Sequence, residues 1–382
     1  MKEFEMITSL IRFSIQGEPL SDVSAIDEQT LKSLYQLSKK HDLAHLIGDA
    51  LEKNGLLLDG TEVKKRFLQQ RSLAIYRYEQ MQYELECMCE VFESAGIDFI
   101  PLKGSILKLL YPEPWMRTSC DLDVLVRKTD LQKAVDILKE KLQYNCSSIG
   151  EYDAQVFAES GVHLELHFRL VEDEAKPEEM EILDNIWNGV EASGDCYKHM
   201  TDAYFYCHHI SHLAKHLKYG GCGVRAILDT WILNHSGPYN KEERYALLNE
   251  AGLLVVSQAV EKLADVWFSG AEADALSEVL AEYVLTGGLY GNFENKVAAQ
   301  KSKKKNQFTY LFSRLFLSYR QMLLKYPKLQ KCPILYPFYI VKRWCLLLNK
   351  KKRNLAMREL NQTVHGDEMQ DNIAKLMNEL DL

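Results

Sequence analysis

Hydrophobic positions recur at intervals of three and four residues along most of the 382-residue chain, which predicts a largely helical protein. In the first 95 residues the repeat is clearest from Lys64 to Ser94, just before Gly96. A glycine that follows a helical segment is typical of a helix C-cap. Residues 1–95 are therefore predicted to form an N-terminal helical region that serves for packing and holds no catalytic residue.

The pattern changes to short apolar runs between residues 96 and 172. Apolar runs at 97–102 and 121–126 predict buried strands, and a helix is predicted over 131–142. Strands over 154–158 and 162–170 are separated by Glu-Ser-Gly, which is typical of a hairpin turn. The order of strand, helix, strand, helix and hairpin indicates a small α/β unit.

Helical spacing resumes near Met180 and continues to the end of the chain. We predict a helical domain over 173–290 and a basic helical C-terminal region over 291–382. The fold class predicted from these patterns is α+β, with a small mixed-sheet core over 96–172 embedded in a largely helical protein.

The composition is that of an ordinary globular protein, with 47% hydrophobic and 26% charged residues. Its nine cysteines are scattered without a CxxC pair, which favours reduced thiols and a cytoplasmic location. The N-terminus lacks the order of basic and apolar segments typical of a signal peptide. The most apolar run, Pro333 to Leu348, is interrupted by Lys342 and Arg343, so no transmembrane segment is predicted.

The formal charge of −8 hides a strong asymmetry. The segment from Lys296 to Arg358 holds 17 Lys and Arg residues and no Asp or Glu, leaving 29 basic and 54 acidic residues elsewhere. Ten aromatic residues lie between Phe308 and Trp344, and such a mixture suits a nucleic acid or an anionic membrane surface. Alternatively, the segment docks on the acidic remainder of the same chain.

The candidate chemistry begins with two carboxylates, Asp121 and Asp123, on one predicted strand. Alternate side chains of a strand share a face, so both point one way while Leu122 and Val124 enter the core. Two carboxylates so placed repel each other unless a cation lies between them. Mg²⁺ prefers oxygen ligands and exchanges its waters for substrate phosphates, so the predicted cofactor is Mg²⁺ or Mn²⁺.

A third carboxylate lies on the last predicted strand, where His163, Glu165 and His167 form the polar face. If the two strands are neighbours, Glu165 can join the aspartates, and three carboxylates can hold two metal ions for phosphoryl transfer. Two alternatives remain open for the histidines. They are polar residues on a solvated face, or they form a transition-metal hydrolase site with Glu165, which would leave both aspartates unexplained.

Candidate phosphate-binding residues lie between the first two strands. Gly104 and Ser105 stand where a strand turns into a helix, which lets backbone N–H groups approach a phosphate. Lys103 and Arg117 are candidate phosphate contacts, which completes a predicted nucleotide-binding set of Lys103, Gly104, Ser105 and Arg117.

Histidines spaced four residues apart, at 208, 212 and 216, share one face of a predicted helix. They are predicted to line a domain interface or to point toward the nucleotide cleft. Arg225 and Asp229 lie one turn apart on the next helix, which is the spacing of a structural ion pair.

The segment FIPLKGSILKLLYPEPWMRTSCDLDVLV, with the later VHLELHFRL, resembles the uncharacterised nucleotidyltransferase family of bacteria. That family is a branch of the DNA polymerase beta-like nucleotidyltransferase superfamily. The resemblance implies that Asp121, Asp123 and Glu165 are catalytic metal ligands and that Gly104-Ser105 is the phosphate-binding turn. It extends to residues 212–229, which favours a substrate-binding role there as the alternative to an ion pair, with Arg225 facing a phosphate. The predicted substrate-binding residues are His167, His212, His216, Arg225 and Asp229. The fifteen residues between Ser105 and Asp121 form a longer connection than is typical of the superfamily.

The resemblance also implies a nucleoside triphosphate substrate and nucleotidyl transfer, most simply of AMP from ATP. It does not supply the acceptor, which is a small molecule, a protein or an RNA. A second hypothesis is a catalytically lapsed protein that binds a nucleotide or a partner without turnover. The presence of all three carboxylates favours the active enzyme.

Overall fold

A computed structural model of the chain describes residues 2–20, 26–171, 175–288, 333–345 and 368–382, with single positions at 291, 295, 319, 322, 326 and 329. Most of the segment from Lys296 to Arg358 therefore lies outside the described residues. Within the part of the chain described here, no helix is both long and apolar enough to cross a membrane.

Helices make up most of the described structure, as the spacing predicted. They are α1 (Lys2–Gln16), α2 (Glu28–Lys40), α3 (Ala44–Lys53), α4 (Glu62–Ala95), α5 (Lys103–Leu107), α6 (Leu131–Leu142), α7 (Pro177–Asp184), α8 (Asp202–Lys218), α9 (Gly223–His235), α10 (Lys241–Glu250), α11 (Leu254–Phe268), α12 (Ala275–Gly287), α13 (Tyr336–Cys345) and α14 (Glu368–Glu379). Gly96 ends α4 in the left-handed conformation, at φ 62°, which confirms the predicted C-cap.

Among the described residues, seven strands form a five-stranded sheet and a two-stranded hairpin. They are β1 (Phe99–Pro101), β2 (Leu122–Val126), β3 (Asn145–Ile149), β4 (Asp153–Phe157), β5 (His163–His167), β6 (Val190–Ala192) and β7 (Lys198–Met200).

The larger sheet has the order β1-β2-β5-β4-β3, in which only β2 and β5 pair in parallel. The predicted mixed sheet and α+β class are thereby confirmed, and so is the hairpin between β4 and β5. The sequence patterns did not predict β3, which is mostly exposed and lacks an alternation of apolar and polar residues, nor the three-residue strands β6 and β7.

Helix α4 runs through two hydrophobic cores. Val63 and Phe67 in its first half pack into a core that α1–α3 share with α8–α12 and α14. Met88 and Phe92 in its second half pack under the sheet, with apolar residues of β2, β4, β5 and α6. The sheet is therefore attached to the helical layers by a continuous helix. The division into four regions at 95, 172 and 290 stays a prediction.

Candidate active site

The carboxylates converge because β2 and β5 are neighbours in the sheet. The parallel register places Asp123 directly beside Glu165. Leu122 and Val124 are buried on the opposite face, as the alternation predicted, and Asp121 immediately precedes β2. Because the two strands are neighbours, Glu165 lies close enough to join the two aspartates.

The polar side chains form two overlapping clusters of metal-ligand type. One contains Asp121, His163 and Glu165, and the other contains Asp123, Glu165 and His167, with the ligand atoms of each cluster within 4.8 Å of one another. Nε2 of His167 lies 2.9 Å from Oδ1 of Asp123 and 3.4 Å from Oε2 of Glu165. In the described part of the chain the two histidines fall into different clusters. The hydrolase hypothesis, which needs both around one metal, gains no support.

Proton affinities in the clusters are set by burial and by the neighbouring charges. Burial raises the pKa of Asp121 to about 6, and the charges of Asp123 and Glu165 act in the same direction. Burial also raises the pKa of Asp123, but the hydrogen bond from His167 and its charge outweigh burial and hold that pKa below its usual value. Burial opposes protonation of His167, yet its hydrogen bonds to Asp123 and Glu165 raise its pKa to about 9.

The donor set fits a divalent cation. Asp121, Asp123 and Glu165 belong to two overlapping ligand clusters in a partly buried position, and the negative charges of Asp123 and Glu165 add to burial in raising the pKa of Asp121. A cation held by Asp121, Asp123 and Glu165 would favour the ionised form of all three. Carboxylate oxygens are ligands that suit both Mg²⁺ and Mn²⁺.

A cleft of about 320 Å³ separates these carboxylates from a helical wall. Helix α8 contributes His208, His209, His212 and His216 to the wall, so the predicted direction of the histidine face toward the cleft agrees with the structure. Nε2 of His212 and Nε2 of His216 are 3.2 Å apart. Burial lowers the pKa of His216 to about 4 and that of His212 well below its usual value, with the charge of Lys103 acting in the same direction. Both imidazoles are therefore neutral at neutral pH.

The three residues of the Lys103-Gly104-Ser105 turn do not all line the cleft. Lys103 and Gly104 line the cleft, and burial lowers the pKa of Lys103 to about 7. Ser105 is buried behind the cleft, and its backbone N–H donates to the carbonyl of Leu102. The structure thus brings Lys103 and Gly104 to the carboxylates but does not bring the Ser105 side chain there.

Position 104 needs a glycine because the loop that carries Arg117 and Ser119 approaches its backbone closely. A Cβ atom at this position would lie 2.5 Å from Oγ of Ser119 and 3.1 Å from Nη1 of Arg117. The Arg117 guanidinium donates to the Ser119 hydroxyl at 2.9 Å, so neither group is free to move aside. A side chain at 104 would therefore displace the loop that carries Arg117.

Replacement of Gly104 by alanine is expected to destabilise the protein by about 1–3 kcal/mol, the usual cost of overpacking. Chemical denaturation measures the loss. The matched test is the same substitution in a Ser119→Ala background, where the closest contact is gone and the cost of Gly104→Ala should fall by about half. An equal cost in both backgrounds would refute the steric explanation.

Two ion pairs, one buried and one partly exposed, support this loop from the helical layers. The Arg117 guanidinium donates from Nε and Nη2 to the two carboxylate oxygens of Asp229, at 3.3 and 3.2 Å. Asp229 also accepts a 2.7 Å hydrogen bond from the Tyr111 hydroxyl. Arg225, on the same helix α9, is paired with Asp42 instead. The predicted ion pair between Arg225 and Asp229 was therefore wrong, because each residue has a partner from another part of the chain.

Asp42 is the main supporting residue that sequence reasoning missed. It accepts a 2.6 Å hydrogen bond from the Thr118 hydroxyl and pairs with Arg225, which also donates to the carbonyl of Thr118 at 3.1 Å. Nearby, Nε2 of His45 donates to the carbonyl of Met116 at 2.7 Å. The N-terminal helices thus hold the loop beside the cleft. No pattern links Asp42 to Arg225 across the 183 residues that separate them.

Comparison with known protein families agrees with this geometry. A family model described as an uncharacterised nucleotidyltransferase matches residues 27–269. The matched segment includes Asp42 at one end and Asp229 toward the other, with every residue of the cleft between them. Comparison with curated proteins and with solved structures finds no match.

Proposed function

Because the chain belongs to this nucleotidyltransferase family, we propose that it transfers a nucleoside monophosphate, most simply AMP from ATP, to an acceptor bound in the cleft. The observation that carries the proposal is the convergence of Asp121, Asp123 and Glu165 on one wall of a cleft whose other residues include Lys103 and Arg225. Carboxylates for metal ions and cations for phosphates are the two requirements of phosphoryl transfer.

The three carboxylates would hold one or two Mg²⁺ or Mn²⁺ ions, with Glu165 common to both ligand clusters. Such ions, when bound, neutralise the charge of the phosphates and lower the pKa of an attacking hydroxyl. The chain itself fixes the carboxylates rigidly, since Asp123 and Glu165 lie on paired strands whose other faces are buried.

The cationic groups would bind and orient the triphosphate. Lys103 is half-buried at the start of α5, and a phosphate beside it would favour its charged form against the effect of burial. Arg117 and Arg225 are held by Asp229 and Asp42, so their guanidinium groups are ordered before a substrate arrives. Fixed cations of this kind lose little side-chain entropy on binding.

The neutral imidazoles of His212 and His216 would face the acceptor or the nucleotide across the cleft. Each neutral ring offers one N–H donor and one acceptor nitrogen, which suits hydroxyl groups better than phosphates. The acceptor belongs to one of three classes: a small molecule, a protein or an RNA.

The proposal is tested by calorimetric binding of ATP, GTP, CTP and UTP with Mg²⁺ or Mn²⁺, followed by pyrophosphate release with candidate acceptors. We expect metal-dependent binding of at least one nucleotide. Binding without pyrophosphate release in the presence of any acceptor would favour the lapsed-enzyme hypothesis. Failure of all four nucleotides to bind with either metal would refute the transferase proposal and would leave only a lapsed protein that binds a partner.

Replacement of Asp42 by asparagine is expected to weaken nucleotide binding about five- to tenfold, because Arg225 loses the charge that holds it beside Thr118. Asparagine tolerates the left-handed backbone of residue 42, at φ 55°, so the fold should be kept. Calorimetric titration with the metal-bound nucleotide measures the effect.

Asp59→Asn is the control, since Asp59 forms an exposed ion pair with Lys64 in the same helical region. If Asp42 acts through Arg225, then Arg225→Gln and the double variant should bind the nucleotide equally weakly. Additive losses would show that the two residues act independently.

A further inference from the structure

An exposed apolar face lies on α13, the described helix within the basic segment from Lys296 to Arg358. Ile334 is 88% exposed, Phe338 64% and Val341 53%. Spacings of four and three residues place these side chains on one side of the helix and of the turn that precedes it. We call Ile334, Phe338 and Val341 the α13 apolar face.

The opposite side of α13 already has its packing partners. Ile340 is buried in a small core with Met322 and Leu329, separate from the cores of the helical layers and of the sheet. Tyr326 and Tyr339 stack against each other at its edge, with ring centroids 4.5 Å apart. The α13 apolar face is therefore not the inner side of this unit, and contiguous exposed apolar surface of this kind marks an interaction site.

The segment of the sequence that contains α13 carries charge of one sign. The segment from Lys296 to Arg358 carries 17 basic and no acidic residues, and Lys342 lies next to Val341 on the helix. The Lys342 ammonium lies over the rings of Tyr326 and Tyr339, and no described acidic residue forms an ion pair with it. Docking of the described part of this segment on the acidic remainder of the chain therefore gains no support.

We propose that the α13 apolar face binds the surface of an anionic lipid bilayer. A short helix with apolar side chains on one side and surrounding basic residues lies in the plane of the membrane interface, with its apolar side at the boundary of the acyl chains. Each Lys or Arg near the surface adds electrostatic attraction to anionic headgroups. The charge of the segment and the exposure of α13 supply both components, independently of the proposed transferase activity.

RNA is the less suitable partner for this surface. Single-stranded nucleic acids bind through aromatic rings on which bases stack. The described tyrosine rings pack against one another instead, Tyr326 on Tyr339 and Tyr319 against Tyr336. The α13 apolar face offers two aliphatic side chains and one phenylalanine, which suits insertion among lipid chains better than stacking.

Co-sedimentation of the full chain with vesicles tests the proposal. We expect binding to phosphatidylcholine vesicles that contain a quarter phosphatidylserine, loss of binding at high salt, and little binding to phosphatidylcholine alone. Val341→Asp should weaken binding about tenfold, since it places a negative charge at the contact with an anionic surface.

The matched control is Val255→Asp, the same substitution at a valine of similar exposure, 46%, on α11. The control should bind vesicles like the unmodified chain. An equal loss in both variants would overturn the assignment of the surface to α13, and no binding at low salt would overturn the proposal itself. Binding of tRNA that Val341→Asp leaves unchanged, without vesicle binding, would assign the region to nucleic acids instead.

Discussion

Replacement of Asp123 by asparagine is expected to lower metal-dependent nucleotidyl transfer at least about a hundredfold, the largest effect on activity that the structure predicts. Asp123 lies beside Glu165 in the parallel register and accepts the hydrogen bond of His167. The amide keeps the shape and one acceptor oxygen but removes the negative charge on which cation binding depends. Pyrophosphate release at saturating nucleotide and metal measures the loss.

The fold of the Asp123→Asn variant should be kept, because the amide oxygen still accepts the hydrogen bond of His167 and the loss of repulsion with Glu165 offsets part of the lost attraction to His167. Circular dichroism and thermal unfolding should show a melting temperature within a few degrees of that of the unmodified chain. Asp136→Asn is the matched control, since Asp136 is an exposed carboxylate on α6 that accepts a hydrogen bond from the side chain of Gln132. Unchanged transfer in Asp123→Asn would show that the metal assignment is wrong.

Replacement of Asp229 by asparagine is expected to reduce the free energy of unfolding by about 3–5 kcal/mol, the cost of leaving a buried charge without its partner. The side chains of Arg117 and Asp229 are only 9% and 5% exposed, so water cannot replace the lost carboxylate. Burial raises the pKa of Asp229, but the charges of Arg117, His209 and Arg225, together with the hydrogen bonds from Arg117, outweigh burial and hold the pKa below its usual value. The pair therefore stabilises the fold at neutral pH.

The Tyr111→Phe variant distinguishes the contribution of the Arg117–Asp229 ion pair from that of the hydrogen bond between Tyr111 and Asp229. This variant loses only the hydroxyl that donates to Asp229, which should cost about 1 kcal/mol in urea denaturation. A loss in Asp229→Asn as small as that in Tyr111→Phe would mean that Arg117 finds another partner and that the pair does not anchor the loop.

The sequence predicted the core of the site because its signals are local. Apolar residues alternate with polar residues in β5 and at the start of β2, and this alternation determines which side chains share a face. The pairing of β2 with β5 did not follow from either strand. It depends on α6, β3 and β4, which bring the two strands side by side, and β3 carries too little apolar pattern to be recognised.

The supporting residues could not be predicted for a related reason. Asp42 follows α2, and nothing around it distinguishes it from an ordinary surface aspartate until the fold brings it to Thr118 and Arg225. Arg225 and Asp229 have the one-turn spacing of an ion pair, and that local signal gave the wrong partners. In the fold, Asp229 pairs with Arg117 and Arg225 pairs with Asp42. Spacing within a single sequence contains no information about partners so far apart in the chain.

Helix α4 has a consequence for how this architecture can be inherited. Its 34 residues extend over roughly 50 Å, at 1.5 Å per residue, and its second half supplies Met88 and Phe92 to the core under the sheet. A recombination event that divided the chain at residue 96 would leave the carboxylate-bearing strands without one side of their own core. The five-stranded sheet therefore does not form an independent unit, and related chains should gain or lose it together with the helix that precedes it.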